Sequence, residues 1–356
     1  MTRWARIRSF VQQVEQARQH YAAPRLATHL RALQLHHRDK FTMEEMQTWG
    51  LLDPVLDSPA LQRYVSKRRF LRFQGRLSPK SHAVLVEDKE VFYRFCEAID
   101  MPVPQTVAFV SRDAVWFAQG HEAGTVDALR SRLSSLEGRE LIIKPADGVY
   151  GIGIRALQVR GGGFVEQGRS LSIDTLMQEL PARTRHVLQH RLVNHEAIEA
   201  ITGFRTLQTV RVVTALPPLP GARAELLSAA LRMSAQDSVT NNFHYGSGGN
   251  IRIRIDLDSG RIVSALRKAS SGFGMESVER IEGTGCMLPG LQLQFWPQVK
   301  ELMEIKAACF YPIRLVGWDV AITPTGPVVL EGNFWFDPGN STVQARDCIE
   351  RCTALG

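Results

Sequence analysis

The C-terminal third of the chain contains two apolar runs, residues 315–323 and 328–333, separated by a Pro- and Gly-containing turn at 324–327. Two such runs around a short turn predict a β-hairpin. Other apolar runs of strand length predict strands at residues 106–110, 141–145, 154–159, 186–193, 209–216, 226–233 and 251–257. Apolar residues spaced three and four apart predict helices at residues 91–99, 126–136, 173–179, 195–199 and 296–309. Together these elements predict an α+β fold.

Residues 1–80 show helical spacing and little strand pattern. Their apolar residues recur three and four positions apart, as on the apolar face of an amphipathic helix. This spacing is shown by Trp4, Ile7, Phe10, Val11 and Val14, and then by Leu26, Leu30, Leu33 and His37. The sequence therefore predicts a mainly helical N-terminal segment.

Three oxygen-bearing side chains, Asp319, Glu331 and Asn333, lie in the predicted hairpin, where a buried strand should carry none. Glu331 and Asn333 are two positions apart, so both point to one face of a strand, and Asp319 on the neighbouring strand can join them. Adjacent buried carboxylates repel each other unless a cation holds them. Three hard oxygen ligands suit Mg²⁺, which binds carboxylates together with substrate phosphates. The alternative is that these are surface residues at strand ends.

Basic side chains also occur inside apolar strands. Lys144 lies near the end of the run 141–145, where its stem can follow the apolar surface while the ammonium group emerges. The next turn contains Gly148, Gly151 and Gly153, which permit close backbone approach to an anion. No Gly-Lys-Ser/Thr sequence follows, so the turn is not a P-loop. Arg211, inside the run 209–216, needs an anionic partner if it is buried.

The histidines and cysteines give little indication of a metal site or of disulfide bonds. His186, His190 and His195 lack the helical pairing with a carboxylate that is typical of a zinc site. None of the five cysteines forms a C-x-x-C pair, so neither a zinc cluster nor a disulfide framework is indicated. No apolar run approaches the ~20 residues of a membrane span, and the first residues lack the apolar core of a signal peptide. We therefore expect a cytoplasmic protein with reduced thiols.

The 356 residues are 44% hydrophobic and 22% charged, which is typical of globular proteins. The net charge of +7 is concentrated at one end, because residues 1–80 carry fifteen basic and six acidic side chains. This segment could contact an anionic substrate, a membrane surface as a peripheral protein, or nucleic acid, or it could simply be a solvated basic face. It contains no recognisable nucleic-acid motif, which disfavours nucleic acid.

The order of these features resembles the ATP-grasp superfamily, and most of all its sugar-transfer-associated branch, found near genes for surface polysaccharide synthesis. The resemblance covers about residues 83–345. It depends on an ordered set of residues rather than on one motif: Asp88 and Lys89, residues 143–145 with the glycine turn, residues 189–192, Glu196, Arg211, Asn242, His244, Asp319, Glu331 and Asn333.

The resemblance implies two α+β lobes that grip ATP. Residues 1–82 would be a helical, basic accessory segment, residues 83–188 the small lobe with the Gly-rich loop, and residues 189–356 the large lobe with the metal site. Relatives often carry a Rossmann-like domain before this fold. Because residues 1–82 have a helical pattern, the relatives' mode of acceptor recognition does not transfer to this chain.

The resemblance also assigns roles to residues. Lys89 and Lys144 would neutralise the ATP phosphates, and the turn with Gly148, Gly151 and Gly153 would close over them. The other assignments are Gln189 and Leu192 to adenine, Glu196 to the ribose, Arg211 to the transferred phosphoryl group, Asn242 and His244 to the triphosphate or acceptor side, and Asp319, Glu331 and Asn333 to one or two Mg²⁺ ions, with Mn²⁺ as a substitute. Many relatives carry Glu at the position of Gln189.

These roles imply an ATP- and Mg²⁺-dependent ligase that joins a carboxylate to an amine through an acyl phosphate. Its substrates would be small molecules such as a sugar acid or an amino acid, in surface polysaccharide, amino-sugar or amino-acid metabolism. One alternative is a phosphotransferase acting on a hydroxyl group. Another is a non-catalytic nucleotide-binding module whose residues 1–80 dock on a membrane or nucleic acid.

Overall fold

Five α-helices form within residues 2–80, as the apolar spacing predicts. In the computed structural model, which describes residues 2–117, 123–148, 151–234, 250–337 and 342–356, they are α1 (Arg3–His20), α2 (Arg25–His37), α3 (Met43–Thr48), α4 (Ser58–Gln62) and α5 (Lys67–Leu77). Helix α3 begins with a capping box: the Thr42 hydroxyl accepts a hydrogen bond from the Glu45 N–H, and the Glu45 carboxylate accepts one from the Thr42 N–H at 2.8 Å.

The apolar face of the first helices is only partly buried. Val14 and Leu35 pack in a core with the small residues Ala17 and Ala32, which let α1 and α2 approach each other closely. Phe10 packs partly against this core. Most other apolar side chains of the predicted stripes remain exposed: Trp4, Ile7, Val11, Leu26, Leu30 and Leu33. Helical spacing therefore predicted the helices correctly but not which apolar side chains find partners.

The first sheet has eight antiparallel strands in the spatial order β3-β2-β1-β8-β4-β5-β6-β7. The strands are β1 (Thr106–Val110), β2 (Val115–Trp116), β3 (Ala123–Gly124), β4 (Glu140–Pro145), β5 (Arg155–Arg160), β6 (Gly163–Glu166), β7 (Arg169–Leu171) and β8 (His186–His190). Strands β4 and β8 pair near the centre of this sheet through apolar residues, with Ile143 opposite Leu188. This pairing aligns Ile142 with Gln189 across the ladder.

The second sheet has seven antiparallel strands in the order β13-β12-β11-β10-β9-β14-β15. They are β9 (Thr209–Ala215), β10 (Glu225–Met233), β11 (Ile251–Ile255), β12 (Ile262–Lys268), β13 (Met275–Ser277), β14 (Leu315–Thr323) and β15 (Gly326–Asn333). Strands β14 and β15 form the hairpin that the two apolar runs predict. All nine residues of β14 are buried, Asp319 included.

Seven further helices cover the sheets: α6 (Val84–Glu87), α7 (Lys89–Ala98), α8 (Val126–Ser134), α9 (Ile173–Glu179), α10 (Glu196–Thr202), α11 (Trp296–Lys306) and α12 (Thr342–Ala354). Helix α7 joins the two sheets, because its residue Phe92 shares one apolar core with Phe109 of the first sheet and Trp318 of the second. The α+β prediction is confirmed. None of the helices in the described residues combines the length and the apolar character that a membrane crossing requires.

Several elements differ from the sequence prediction. The strand expected at 186–193 ends at His190, and the helix expected at 296–309 leaves the α-helical form after Lys306 and finishes as a 3₁₀ turn. Strands β12 and β13 and helix α12 were not predicted. Half-buried side chains dominate β12, so its apolar signal is weak.

Candidate active site

Two lysines that are 55 positions apart in the chain meet at one end of the first sheet. The Lys89 N–H at the start of α7 donates to the Ala146 carbonyl just after β4, at 2.8 Å, and this bond fixes the helix against the strand that carries Lys144. The Lys89 ammonium group donates to the Gly148 carbonyl at 2.7 Å. Both lysines are buried, at 7% exposure.

The Lys144 ammonium group donates to the Tyr93 hydroxyl at 2.7 Å, and that hydroxyl donates to the Leu330 carbonyl at 2.9 Å. Burial lowers the pKa of Lys144 to about 7, with a further lowering by the charge of Lys89 and an opposing effect of Glu331. Lys144 is therefore poised to gain charge when an anion arrives.

The pairing register of the hairpin strands determines where the polar residues lie. Asp319 of β14 lies opposite Glu331 of β15 on one side and opposite Arg211 of β9 on the other. The ladder slips by one residue between Asp319 and Val320, and Leu330 is the extra residue. Such a bulge re-aims backbone groups, and here the Leu330 carbonyl is the one that receives the Tyr93 hydroxyl.

Asp319 is fixed by arginines. Its carboxylate accepts two hydrogen bonds from Arg211, at 2.6 Å from Nε and 2.9 Å from Nη2, and Arg232 lies 3.4 Å away. Burial alone would raise the pKa of Asp319, but the charges of Arg211 and Arg232 and the hydrogen bonds from Arg211 hold that pKa well below its usual range. The Asp319 carboxylate is therefore ionised throughout the neutral pH range.

Three arginines lie near Asp319 on adjacent strands. Arg211, Arg232 and Arg252 lie on the adjacent strands β9, β10 and β11, and the register aligns Arg232 with Arg252. Burial lowers the pKa of Arg252 to about 9, and the charges of Arg232 and Arg211 add to this. The row therefore concentrates positive charge beside Asp319, and Arg232 is the member that lines the cleft described below.

Arg232 and Arg252 were missed as site residues in the sequence. The signal was present, because Arg232 interrupts the apolar run 226–233 and Arg252 alternates with isoleucines in 251–255. Each is the same kind of signal that singled out Arg211: a cation within a strand whose other residues are apolar.

Glu331 and Asn333 complete the predicted ligand set at the same edge of the hairpin. The Glu331 carboxylate lies 3.7 Å from the Lys89 ammonium nitrogen and within hydrogen-bond reach of Asp319. The Asn333 amide donates to the Gly317 carbonyl at 3.0 Å, so its nitrogen is engaged and its oxygen is the atom left for a ligand.

This donor set fits Mg²⁺ better than zinc. Within the described residues no three His, Cys, Asp or Glu side chains are grouped to hold a metal ion. Two carboxylates and an amide oxygen are hard ligands, and Mg²⁺ characteristically binds one or two carboxylates together with substrate phosphates. The assignment of Asp319, Glu331 and Asn333 to a metal stays a prediction.

A cleft between the two sheets brings many of the predicted residues together. It holds about 1030 Å³ of empty space, including the open solvent at its mouth. Its walls include Lys89, Lys144, Gly148, Gly151, Gln189, Leu192, Arg232, Asp319 and Glu331.

Gln189 carries an orphaned acceptor in this cleft. The residue is 3% exposed, and its Oε1 has no hydrogen-bond partner in the part of the chain that the structure describes. An unpaired buried acceptor costs about 1–3 kcal/mol, so a ligand that donates a hydrogen bond would relieve this cost. The exocyclic amino group of adenine is such a donor, and Gln189 therefore fits the nucleotide role that the resemblance implies.

Other predicted residues lie apart from the cleft wall. Glu196 is exposed in the first turn of α10, and Gly153, at φ +78°, faces the Pro145 ring rather than the cleft. A Cβ atom at Gly153 would lie 3.1 Å from that ring. Asn242 and His244 lie outside the described residues. The roles predicted for these four residues stay predictions.

A family model described as sugar-transfer associated ATP-grasp matches residues 68–344. A search of curated proteins gives no match.

Among solved structures, the chain is similar to the ATP-grasp ligase PsnB in complex with a minimal precursor, with 14% identity and a TM-score of 0.39 over 79% of this chain and 64% of PsnB. It is also similar to the D-cycloserine synthetase DcsG, with 15% identity and a TM-score of 0.38 over 80% of this chain and 79% of DcsG. A third is D-alanyl-alanine synthetase A from Vibrio cholerae, with 9% identity and a TM-score of 0.39 over 78% of this chain and 68% of that enzyme. The chain spans less than two thirds of PsnB.

Proposed function

Because the chain belongs to the sugar-transfer associated ATP-grasp family, we propose that it is an ADP-forming ligase that joins a carboxylate to an amine at the expense of ATP. One observation carries the proposal: Lys89 and Lys144 share a single cleft with Asp319 and Glu331. Phosphoryl transfer depends on positioning and charge neutralisation, and these are the groups it requires.

Each part of the nucleotide has a candidate partner. The phosphates would bind Lys89, Lys144 and the backbone beside Gly148, and the adenine amino group would donate to Gln189. Asp319, Glu331 and Asn333 would hold one or two Mg²⁺ ions, with Mn²⁺ as a substitute. When bound, Mg²⁺ would neutralise phosphate charge and orient the phosphates.

The proposed reaction has two steps. An oxygen of the substrate carboxylate attacks the γ-phosphorus of ATP, the bond from that phosphorus to the β–γ bridging oxygen breaks, and ADP leaves. The amine nitrogen then attacks the carbonyl carbon of the acyl phosphate, inorganic phosphate leaves, and the nitrogen loses a proton to give the amide. Arg211, Arg232 and Arg252 supply positive charge for the anions of both steps.

The substrates that we propose are small molecules, a sugar acid or an amino acid together with an amine, in surface polysaccharide, amino-sugar or amino-acid metabolism. Asn242 and His244 would line the triphosphate or acceptor side. A cytoplasmic location accords with the use of ATP and with the five free cysteines.

The test uses purified protein, ATP, Mg²⁺ and hydroxylamine with a panel of sugar acids and amino acids. We expect hydroxamate and ADP in equal amounts with at least one acid, because hydroxylamine captures an acyl phosphate. Absence of hydroxamate with every acid would contradict the proposal. A stable phosphorylated product formed without an amine would indicate transfer to a hydroxyl group instead.

A further inference from the structure

A second, larger concavity lies outside the cleft, between the helical segment and the chain that follows β15. Its walls come from the end of α2, from α3 and α5, and from Trp335. We call it the helical groove. It holds about 1700 Å³ of empty space, including open solvent at its mouth. No residue that lines the cleft also lines the helical groove.

The helical groove is strongly cationic. Its lining includes five lysines and arginines: Lys40, Lys67, Arg68, Arg72 and Lys80. Among the described residues, the carboxylates of the lining are those of Glu44 and Glu45. Glu45 is already engaged, because it accepts hydrogen bonds from the Thr42 N–H and the Lys67 N–H. Positive charge therefore dominates the space that a ligand could enter.

Among the cations of the groove, Arg68 and Arg72 are the pair that best fits an anionic ligand. They are exposed, they lie one helical turn apart on α5, and neither forms an ion pair with any described residue. Like charges at this spacing destabilise a helix. Two guanidinium groups four residues apart at a groove wall suit a phosphate or carboxylate group, which both can contact.

An aromatic wall stands beside these cations. Trp335 packs against α5 at Gly75, where a Cβ atom would lie only 2.9 Å from the indole ring, and the Lys80 ammonium nitrogen lies 5.6 Å from the ring centre. The indole remains 38% exposed. Such a surface offers a flat apolar face to a ring, with cations around it.

A short segment connects the helical groove to the candidate active site. Trp335 is two residues beyond Asn333, and the Phe336 carbonyl accepts a hydrogen bond from Gln74 of α5 at 3.0 Å. Asp337 forms an ion pair with Lys67 at 3.2 Å, and its charge also raises the pKa of Arg211. Residues 333–337 therefore link the wall of the groove directly to the hairpin that carries Asp319, Glu331 and Asn333.

We propose that the helical groove binds the amine substrate of the ligase as an anionic sugar that carries an amino group, with its phosphate or carboxylate at Arg68 and Arg72 and its ring against Trp335. That this molecule is a substrate rests on the proposed function, whereas its binding in the groove does not. The proposal gives the basic N-terminal segment a defined role, which is to hold the acceptor.

The test observes Trp335 directly in the full-length chain. The six tryptophans are labelled with ¹⁵N at the indole nitrogen, and Trp335→Phe assigns the signal. Glucose 6-phosphate, glucuronate, inorganic phosphate and neutral glucose are titrated in turn. We expect a saturable shift of the Trp335 signal with glucose 6-phosphate or glucuronate, weaker binding of inorganic phosphate, and no shift with glucose.

Matched variants distinguish binding at the groove from nonspecific attraction of an anion to a positively charged surface. Arg68→Gln and Arg72→Gln should each raise the Kd at least about tenfold. Arg76→Gln, which removes an exposed arginine of α5 outside the groove lining, should leave the Kd unchanged. Absence of a saturable shift with all three anions, or an equal loss in Arg76→Gln, would overturn the proposal. Binding of phosphate as tightly as glucose 6-phosphate would overturn the contact with Trp335.

The two proposals can fail independently. ADP affinity, measured in the same variants, should remain at the wild-type value and shows that they are folded. If hydroxamate forms but no ligand binds in the groove, only the proposed groove site is rejected. If a ligand binds in the groove but no hydroxamate forms, only the proposed ligase activity is rejected.

Discussion

The cleft and the helical groove both collect charge, but they hold it in opposite ways. In the cleft, Lys144, Arg211 and Asp319 are less than one tenth exposed, and each has a partner at hydrogen-bond distance. In the groove, Arg68 and Arg72 project into solvent. Buried charges interact strongly and fix one another, whereas exposed charges are screened and contribute individually little. Removal of a buried charge at the cleft should therefore change turnover or stability strongly, whereas removal of Arg68 or Arg72 should weaken ligand binding and leave stability nearly unchanged.

The largest effect should come from Glu331→Gln. The change removes a negative charge from the proposed metal site while it keeps the size of the side chain, so we expect ADP formation to fall at least about a thousandfold. The free energy of unfolding should barely change, since the Glu331 side chain is one third exposed and forms one long ion pair. Turnover and urea unfolding measure the two quantities. Glu140→Gln, an exposed strand glutamate, is the control, and wild-type turnover in Glu331→Gln would reject the metal assignment.

Asp319→Asn should differ by losing stability as well as turnover. It leaves the buried guanidinium group of Arg211 without the carboxylate that accepts its two hydrogen bonds, and removal of one partner of a buried pair costs about 3–5 kcal/mol. Urea unfolding should show the loss, and adding Arg211→Gln to Asp319→Asn should recover part of it. Equal unfolding midpoints for Asp319→Asn and Glu331→Gln would contradict this difference between the two carboxylates.

This contrast also explains which parts of the fold and of the candidate site could be predicted from the sequence. Lys144, Arg211 and Asp319 each interrupt an apolar strand, so a single sequence marks them as unusual, and the structure places Lys144 and Asp319 on the wall of one cleft, with Arg211 bonded to Asp319. The hairpin and most strands follow from the same apolar runs.

Features that depend on tertiary partners were not predictable. Arg68 and Arg72 lie on an amphipathic helix whose charged face looks ordinary, and only the position of Trp335 makes it the wall of a groove. Likewise, Trp4 and Leu26 have the spacing of core residues but stay exposed, because Ala17 and Ala32 provide the contact between α1 and α2. The bulge at Leu330 has no sequence signal, since it is set by pairing across two strands.

The pKa of Lys144 predicts a pH dependence of nucleotide binding. Because this pKa is about 7 in the free protein, ADP must draw a proton to Lys144 above that pH, and affinity should fall by up to about tenfold per pH unit there. Calorimetry with ADP between about pH 6.5 and 8.5, in two buffers of different ionisation enthalpy, measures affinity and proton uptake. Lys144→Met should bind weakly at every pH and take up no proton.

The same pKa fixes the sign of a stability effect. Unfolding returns Lys144 to its ordinary pKa of about 10.4, so the unfolded chain binds a proton that the folded chain lacks between about pH 7 and that value. The contribution of Lys144 to the free energy of unfolding therefore rises with pH across this window and is absent in Lys144→Met. A pH-dependent ADP affinity that survives in Lys144→Met would assign the titration to another group.

The smallest effect should come from Gln189→Leu. This change removes the orphaned Oε1 acceptor, so the complex loses one hydrogen bond to adenine while the free protein loses an unpaired buried atom. We expect the Kd for ADP to rise about fivefold and the Kd for inorganic triphosphate to stay constant, because only the base is affected. Thr106→Val is a matched control: the Thr106 hydroxyl oxygen is also buried without a partner in the described residues, on the neighbouring strand opposite Gln189, but it does not line the cleft. Equal losses of ADP affinity in both variants would show that the effect is packing of the sheet rather than recognition of adenine.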